Sequence, residues 1–101
     1  MNIRVDWSDD SVEDLNFIFE RVKKKTVSKE LAKNVIDDIY ETGISISFVE
    51  QYQVDEILGK PYRRMVVRHF KLIYRAMTEK HIRIIQVFDT YQNSLKLRKD
   101  I

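Results

Sequence analysis

The chain has no cysteine, so neither a disulfide framework nor a thiolate metal site is available to it. Glycine is almost missing: Gly43 and Gly59 are the only two in 101 residues. That excludes a glycine-rich loop of the kind that cradles phosphates, and no cofactor is expected. Proline occurs once, at Pro61. No apolar stretch approaches the ~20 residues needed to span a bilayer. The opening residues, Met1-Asn2-Ile3-Arg4-Val5-Asp6-Trp7, lack the apolar segment of a secretory signal, and a cytoplasmic protein with no membrane partner is expected. His69 and His81 are too far apart for an i,i+4 metal pair and have no obvious carboxylate companion in the sequence. Serines and threonines are scattered without a nucleophile-elbow pattern.

One further absence points the other way. Between Lys60 and Arg75 there is no carboxylate, while Lys60, Arg63, Arg64, Arg68, Lys71 and Arg75 supply six cations. The net charge of +2 therefore conceals segregation. Residues 6–20 carry Asp6, Asp9, Asp10, Glu13, Asp14 and Glu20 without a cation, and residues 41–59 carry Glu41, Glu50, Asp55 and Glu56 likewise. A run of cations with no internal balance predicts a surface that meets an anionic partner, either a phosphate backbone or an acidic protein segment. The Lys23-Lys24-Lys25 run has a blander reading, because cations suit a helix C-terminus.

With 44% hydrophobic and 34% charged residues, the chain reads as one domain over residues 1–101 with a single core. Ile3, Val5 and Trp7 alternate with polar residues and predict a short strand. Ser8 is placed to cap a helix whose first turn holds Asp9, Asp10 and Glu13. Val12, Leu15, Phe19 and Val22 form one stripe, so this helix is expected over Asp9–Lys24. Ser28 caps a second helix marked by Leu31, Val35, Ile36, Ile39 and Tyr40, fading near Gly43. The short connection makes the pair an antiparallel hairpin. Phe48 to Glu56 reads as a loop or irregular strand. Tyr62–Phe70 and Lys71–Met77 then predict two strands with a tight turn near His69. Ile82–Phe88 predicts a third strand, apolar on both faces and hence central. Asp89 onward is polar, with a tail from about residue 94. The order predicts an α+β domain: an N-terminal strand, a helical hairpin and a three-stranded antiparallel meander.

Catalysis by this chain would have to use Arg, Lys, Tyr and a carboxylate. Such a set suffices for RNA cleavage by the 2′-OH, where clustered cations stabilise the phosphorane and an aromatic ring holds an unstacked base. Each residue also has a plainer role at the sheet edge or in the core. From the residues alone the chain is an anion- or partner-binding α+β domain.

The segments Tyr62-Arg63-Arg64-Met65-Val66-Val67, Phe70-Lys71-Leu72-Ile73-Tyr74-Arg75 and Ile82-Arg83-Ile84-Ile85-Gln86-Val87-Phe88-Asp89-Thr90-Tyr91-Gln92-Asn93 resemble the three-strand signature of RelE/ParE-family toxins of bacterial type II toxin–antitoxin (plasmid stabilisation) systems. The resemblance implies a toxin neutralised by a cognate antitoxin protein. Its target would be ribosome-bound mRNA, cut as an mRNA interferase, or DNA gyrase, inhibited without catalysis; a degenerate, non-toxic member that only binds an antitoxin is a third possibility. By the resemblance, Arg63, Lys71 and Tyr91 are the candidate catalytic residues, and Lys60, Arg64, Arg68 and Arg75 the candidate RNA- or partner-binding ones. Arg63, Lys71 and Arg75 are expected on one concave sheet face with Tyr91 at its rim. The chain departs from the ribonuclease pattern at Met65 and Lys71, where that pattern has Lys and Arg. It also has Tyr91 and Ser94 where close relatives have Arg and Pro. These departures shift weight towards a ParE-like or attenuated toxin.

Overall fold

The computed structural model describes residues 3–92. Strand β1 (Arg4–Trp7) is followed by helices α1 (Asp9–Thr26) and α2 (Lys29–Ile44), then by β2 (Arg63–Val67), β3 (Phe70–Thr78) and β4 (His81–Asp89). Both helices begin where the sequence places a serine cap. The Ser8 Oγ accepts the Ser11 N–H at 3.1 Å and the Ser28 Oγ accepts that of Leu31 at 3.1 Å, which satisfies an otherwise unpaired amide at each N-terminus. Helix α1 runs to Thr26, past the expected Lys24, and stops because Val27 turns left-handed at φ 56°. The expected tail from residue 94 lies outside the described residues.

The sheet order is β1-β4-β3-β2, with β1 parallel to β4 and the other pairs antiparallel. The meander is therefore as expected and β4 is central. Period-two alternation sorts the strands into two faces. Met65, Leu72, Tyr74, Ile82 and Ile84 point to the helices and pack on Ile18, Val35 and Ile39. Gly43 permits a close helix–strand approach, since a Cβ there would lie 2.7 Å from the Trp7 ring and 2.8 Å from Ile84. Trp7 stacks on Tyr40 across the same contact, with ring centroids 5.7 Å apart.

The segment between α2 and β2 is more ordered than a plain loop. A 3-10 turn at Val49–Gln51 leads to Val54, which bridges to Arg63 at the β2 edge. The chain then reverses through Gly59 at φ 73°, a conformation glycine adopts without steric cost. This reversal folds Leu58 and Tyr62 onto Ile73 and Phe88, giving the sheet a small second core on the side away from the helices. A register shift between Ile73 and Tyr74 in the pairing with β4 accompanies that core.

Candidate functional site

The cations of the 60–75 segment do not form one open surface. In the β2–β3 register Arg63 pairs with Tyr74 and Val66 with Lys71. Because side chains alternate, Arg63 lies on the helix-facing side with Met65 and Tyr74, whereas Lys71 and Arg75 lie on the opposite side with Ile73. The expected common face for Arg63, Lys71 and Arg75 is thus corrected by the register: one residue's offset along a strand reverses the face.

Their charges are also largely met from within. Lys71 is buried at 5% exposure, and its Nζ donates to the Asp55 Oδ1 at 2.7 Å, with Asp55 itself at 0%. The Asp55 carboxylate also accepts the N–H groups of Ile57 and Leu58, at 3.1 and 2.9 Å. Burial pushes this carboxyl up, but the Lys71 hydrogen bond and charge and the two amides together hold it below the ordinary value. Arg64 reaches the Glu56 carboxylate at 2.7 Å and the Val54 carbonyl at 2.8 Å. Arg63 donates to the Tyr52 carbonyl at 2.8 Å. Arg68, left-handed at φ 54° in the β2–β3 turn, pairs with Asp38 of α2 at 2.7 Å. The balancing anions lie outside the cationic run, Asp38 on α2 and Asp55 and Glu56 in the segment just before it. The expectation of an unbalanced cationic run failed because it counted charge within one stretch of chain.

Lys60 and Arg75 stay exposed. The Arg75 guanidinium lies over the Tyr62 ring, 5.9 Å from its centroid, an arrangement that favours a cation on an aromatic face. Arg75 faces Arg83 directly across the β3–β4 pair. Arg83 is held by the Asp6 carboxylate at 2.7 Å, and Asp6 also meets the His81 Nε2 at 2.6 Å. The Arg83 hydrogen bond, opposed by burial and aided by His81, holds the Asp6 carboxyl below its usual range.

A second constellation lies at the other end of the sheet. Tyr91 is 81% exposed and its ring stacks on His69, centroids 4.2 Å apart and planes 5° from parallel. The His69 Nε2 lies 3.5 Å from the Asp89 carboxylate, which also faces Arg21 at 3.8 Å and accepts the Tyr91 N–H at 2.9 Å. Each histidine therefore has a carboxylate companion after all, brought from 20 residues away for His69 and from 75 for His81. His69 was not singled out as a functional residue. The only signal for it in the sequence was its place in the turn that Asp89-Thr90-Tyr91 reaches once the strands pair. Arg63, Lys71 and Tyr91 thus occupy separate surroundings, and the structure does not bring them into one cluster.

A solved structure described as "Chromosomal ParDE TA system from P. aeruginosa" contains a chain that matches this one with a TM-score of 0.69 at 17% identity, covering 86% of this chain and 95% of that chain. The likeness establishes the fold. No family model and no curated protein matches the sequence. The fold of the ParDE chain is therefore reached here with a largely different sequence. Among the described residues no helix is long and apolar enough to cross a membrane.

Proposed function

We propose that this chain is the toxin of a type II toxin–antitoxin module, held by a cognate antitoxin protein, and that it disables its target by binding rather than by cutting RNA. The α+β fold, shared with the ParDE chain, and the strand landmarks support the toxin part of this reading. The observation that carries the second part is the state of Lys71, which is buried against Asp55 at 2.7 Å while Arg63 lies on the other face of the sheet. A buried ammonium paired with a carboxylate cannot meet a phosphorane without first breaking a buried ion pair. DNA gyrase is the target the family resemblance implies for such a non-catalytic toxin.

A ribonuclease reading is supported by one feature, the exposed Tyr91 face on His69 with Asp89 behind it, which supplies a stacking surface and an imidazole. Controlled expression separates the two. The binding reading expects growth arrest, loss of supercoiling by purified gyrase and trapped DNA breaks, with mRNA intact by primer extension. Cleaved mRNA in a translating extract, abolished by Arg63→Ala with Lys71→Ala or by Tyr91→Ala, would overturn it in favour of the interferase. Harmless expression in the absence of any antitoxin would overturn both and leave a protein that only binds a partner.

A further inference from the structure

We propose that the tip of the helical hairpin, where α1 turns into α2, docks reversibly on an anionic phospholipid surface. Residues 21–33 hold Arg21, Lys23, Lys24, Lys25, Lys29 and Lys33 against Glu30 alone. Lys23 pairs with Glu20 at 3.1 Å, Lys33 with Asp37 at 2.9 Å, and Arg21 meets Asp89 at 3.8 Å. Among the described residues Lys24, Lys25 and Lys29 make no ion pair, and all three are exposed. The helix dipole accounts for cations in the last turn of α1. It does not account for Lys29, the first residue of α2, where the same dipole disfavours positive charge. Two aliphatic side chains stand among these lysines. Val27, in the connection, is 90% exposed, and Leu31, in the first turn of α2, is 50% exposed. Val27 also holds φ 56°, a conformation that is costly for a β-branched residue and suits glycine or asparagine. An exposed valine in that conformation gives the core nothing; an apolar layer outside the molecule gains from it.

An aliphatic tip flanked by lysines matches the boundary layer of a bilayer with anionic headgroups. The aliphatic side chains enter the edge of the acyl region, and the lysine stems lie along it while their ammonium groups reach the phosphates. The other end of the hairpin is acidic, with Asp9, Asp10 and Glu13 opening α1 and Glu41 near the end of α2. The 18 residues of α1 set the first of these carboxylates about 27 Å from the tip. An anionic leaflet therefore attracts the tip and repels the opposite end, which orients the molecule. A nucleic acid is the poorer fit, because its phosphate backbone leaves Val27 and Leu31 without an apolar partner. Such docking is peripheral and needs no spanning helix. It departs from the expectation of no membrane partner, which rested on the lack of a long apolar run.

The test is co-sedimentation of the full chain with vesicles of phosphatidylglycerol mixed with phosphatidylcholine, against vesicles of phosphatidylcholine alone. The anionic vesicles should bind at least about 10-fold more tightly at low salt, and added salt should weaken them. Lys24→Gln, Lys25→Gln and Lys29→Gln should each lower binding by about 5-fold. Val27→Gly is the decisive variant. Relief of the left-handed strain should raise its thermal midpoint, while the lost apolar contact lowers vesicle binding by about 3-fold. A folding defect cannot produce that pair of results. Leu31→Ser should lower binding by a similar factor. Equal binding to the two kinds of vesicle would overturn the proposal, as would Val27→Gly and Leu31→Ser variants that bind anionic vesicles as well as the parent does. Displacement from the vesicles by duplex DNA or by polyglutamate at equal charge would also overturn it, assigning the lysines to a nucleic acid or an acidic protein. Toxicity does not enter the readout, so the tip and the toxin reading stand or fall separately.

Discussion

Replacing Lys71 by Met tests whether that lysine is a structural or a functional cation. The methionine keeps most of the aliphatic stem and removes the charge, so among the described residues the Asp55 carboxylate, at 0% exposure, keeps the Ile57 and Leu58 amides as its partners. Removing one partner of a buried pair costs about 3–5 kcal/mol. The two amide bonds remaining to Asp55 place this case near the lower end, about 3 kcal/mol. For a domain of this size, with a urea m-value of roughly 1.2 kcal/mol per M, the unfolding midpoint at pH 7 should fall by about 2.5 M. Asp55→Asn should cost a similar amount. The double variant should fall short of the summed losses by about 2 kcal/mol, because the second change removes a charge that has already lost its partner.

The pH dependence has a definite sign. The Asp55 carboxyl is lowered in the native protein, so its contribution is present above the unfolded value of about 3.9 and is lost as pH falls through the lower, folded value. In Lys71→Met the opposing cation is gone and burial raises the carboxyl instead. That variant then gains stability as pH falls through its raised value, above about 3.9, and the parent protein loses its own contribution below that, so the gap between them should begin to narrow above about pH 4 and close further below it. The measurement is urea unfolding followed by tryptophan fluorescence from pH 3 to pH 7. A midpoint shift under about 0.4 M at pH 7, or a gap that stays constant with pH, would refute the buried-pair argument. It would return Lys71 to the pool of free cations and revive the interferase.

Two further expectations concern the scaffold behind the site. Val27 ends α1 at φ 56° and is 90% exposed, a costly conformation for a β-branched residue; Val27→Gly should raise stability by about 1 kcal/mol, visible as a higher thermal midpoint. Gly43→Ala should destabilise by about 1–2 kcal/mol net, because the added methyl meets the Trp7 ring at 2.7 Å and the overpacking exceeds the helix-propensity gain. Trp7 fluorescence and near-UV circular dichroism should change with it, and an unchanged spectrum at full stability would contradict the close approach.

Element order was legible because each element carries its own local pattern. Ser8 and Ser28 announce the helix starts, the apolar stripe of α2 and the alternation of β1 appear directly, and the run from Ile82 to Phe88 marks the central strand. Less legible was the segment from Val49 to Tyr62, whose order depends on a bridge to Arg63 and on packing over Ile73 and Phe88. No periodicity within those residues records either contact.

The site shows the same division more sharply. Composition and spacing determined that cations concentrate between Lys60 and Arg75, that no thiol or glycine-loop chemistry is available, and that the fold joins a helical hairpin to a meander. Only the tertiary structure decided that Arg63 and Lys71 face opposite ways, that Asp38, Asp55 and Glu56 answer three of those cations, and that His69 stacks under Tyr91. The physical reason is that pairing register sets the direction of each side chain and folding brings distant carboxylates within 3 Å, so the local excess of charge along the chain does not measure the charge a partner meets.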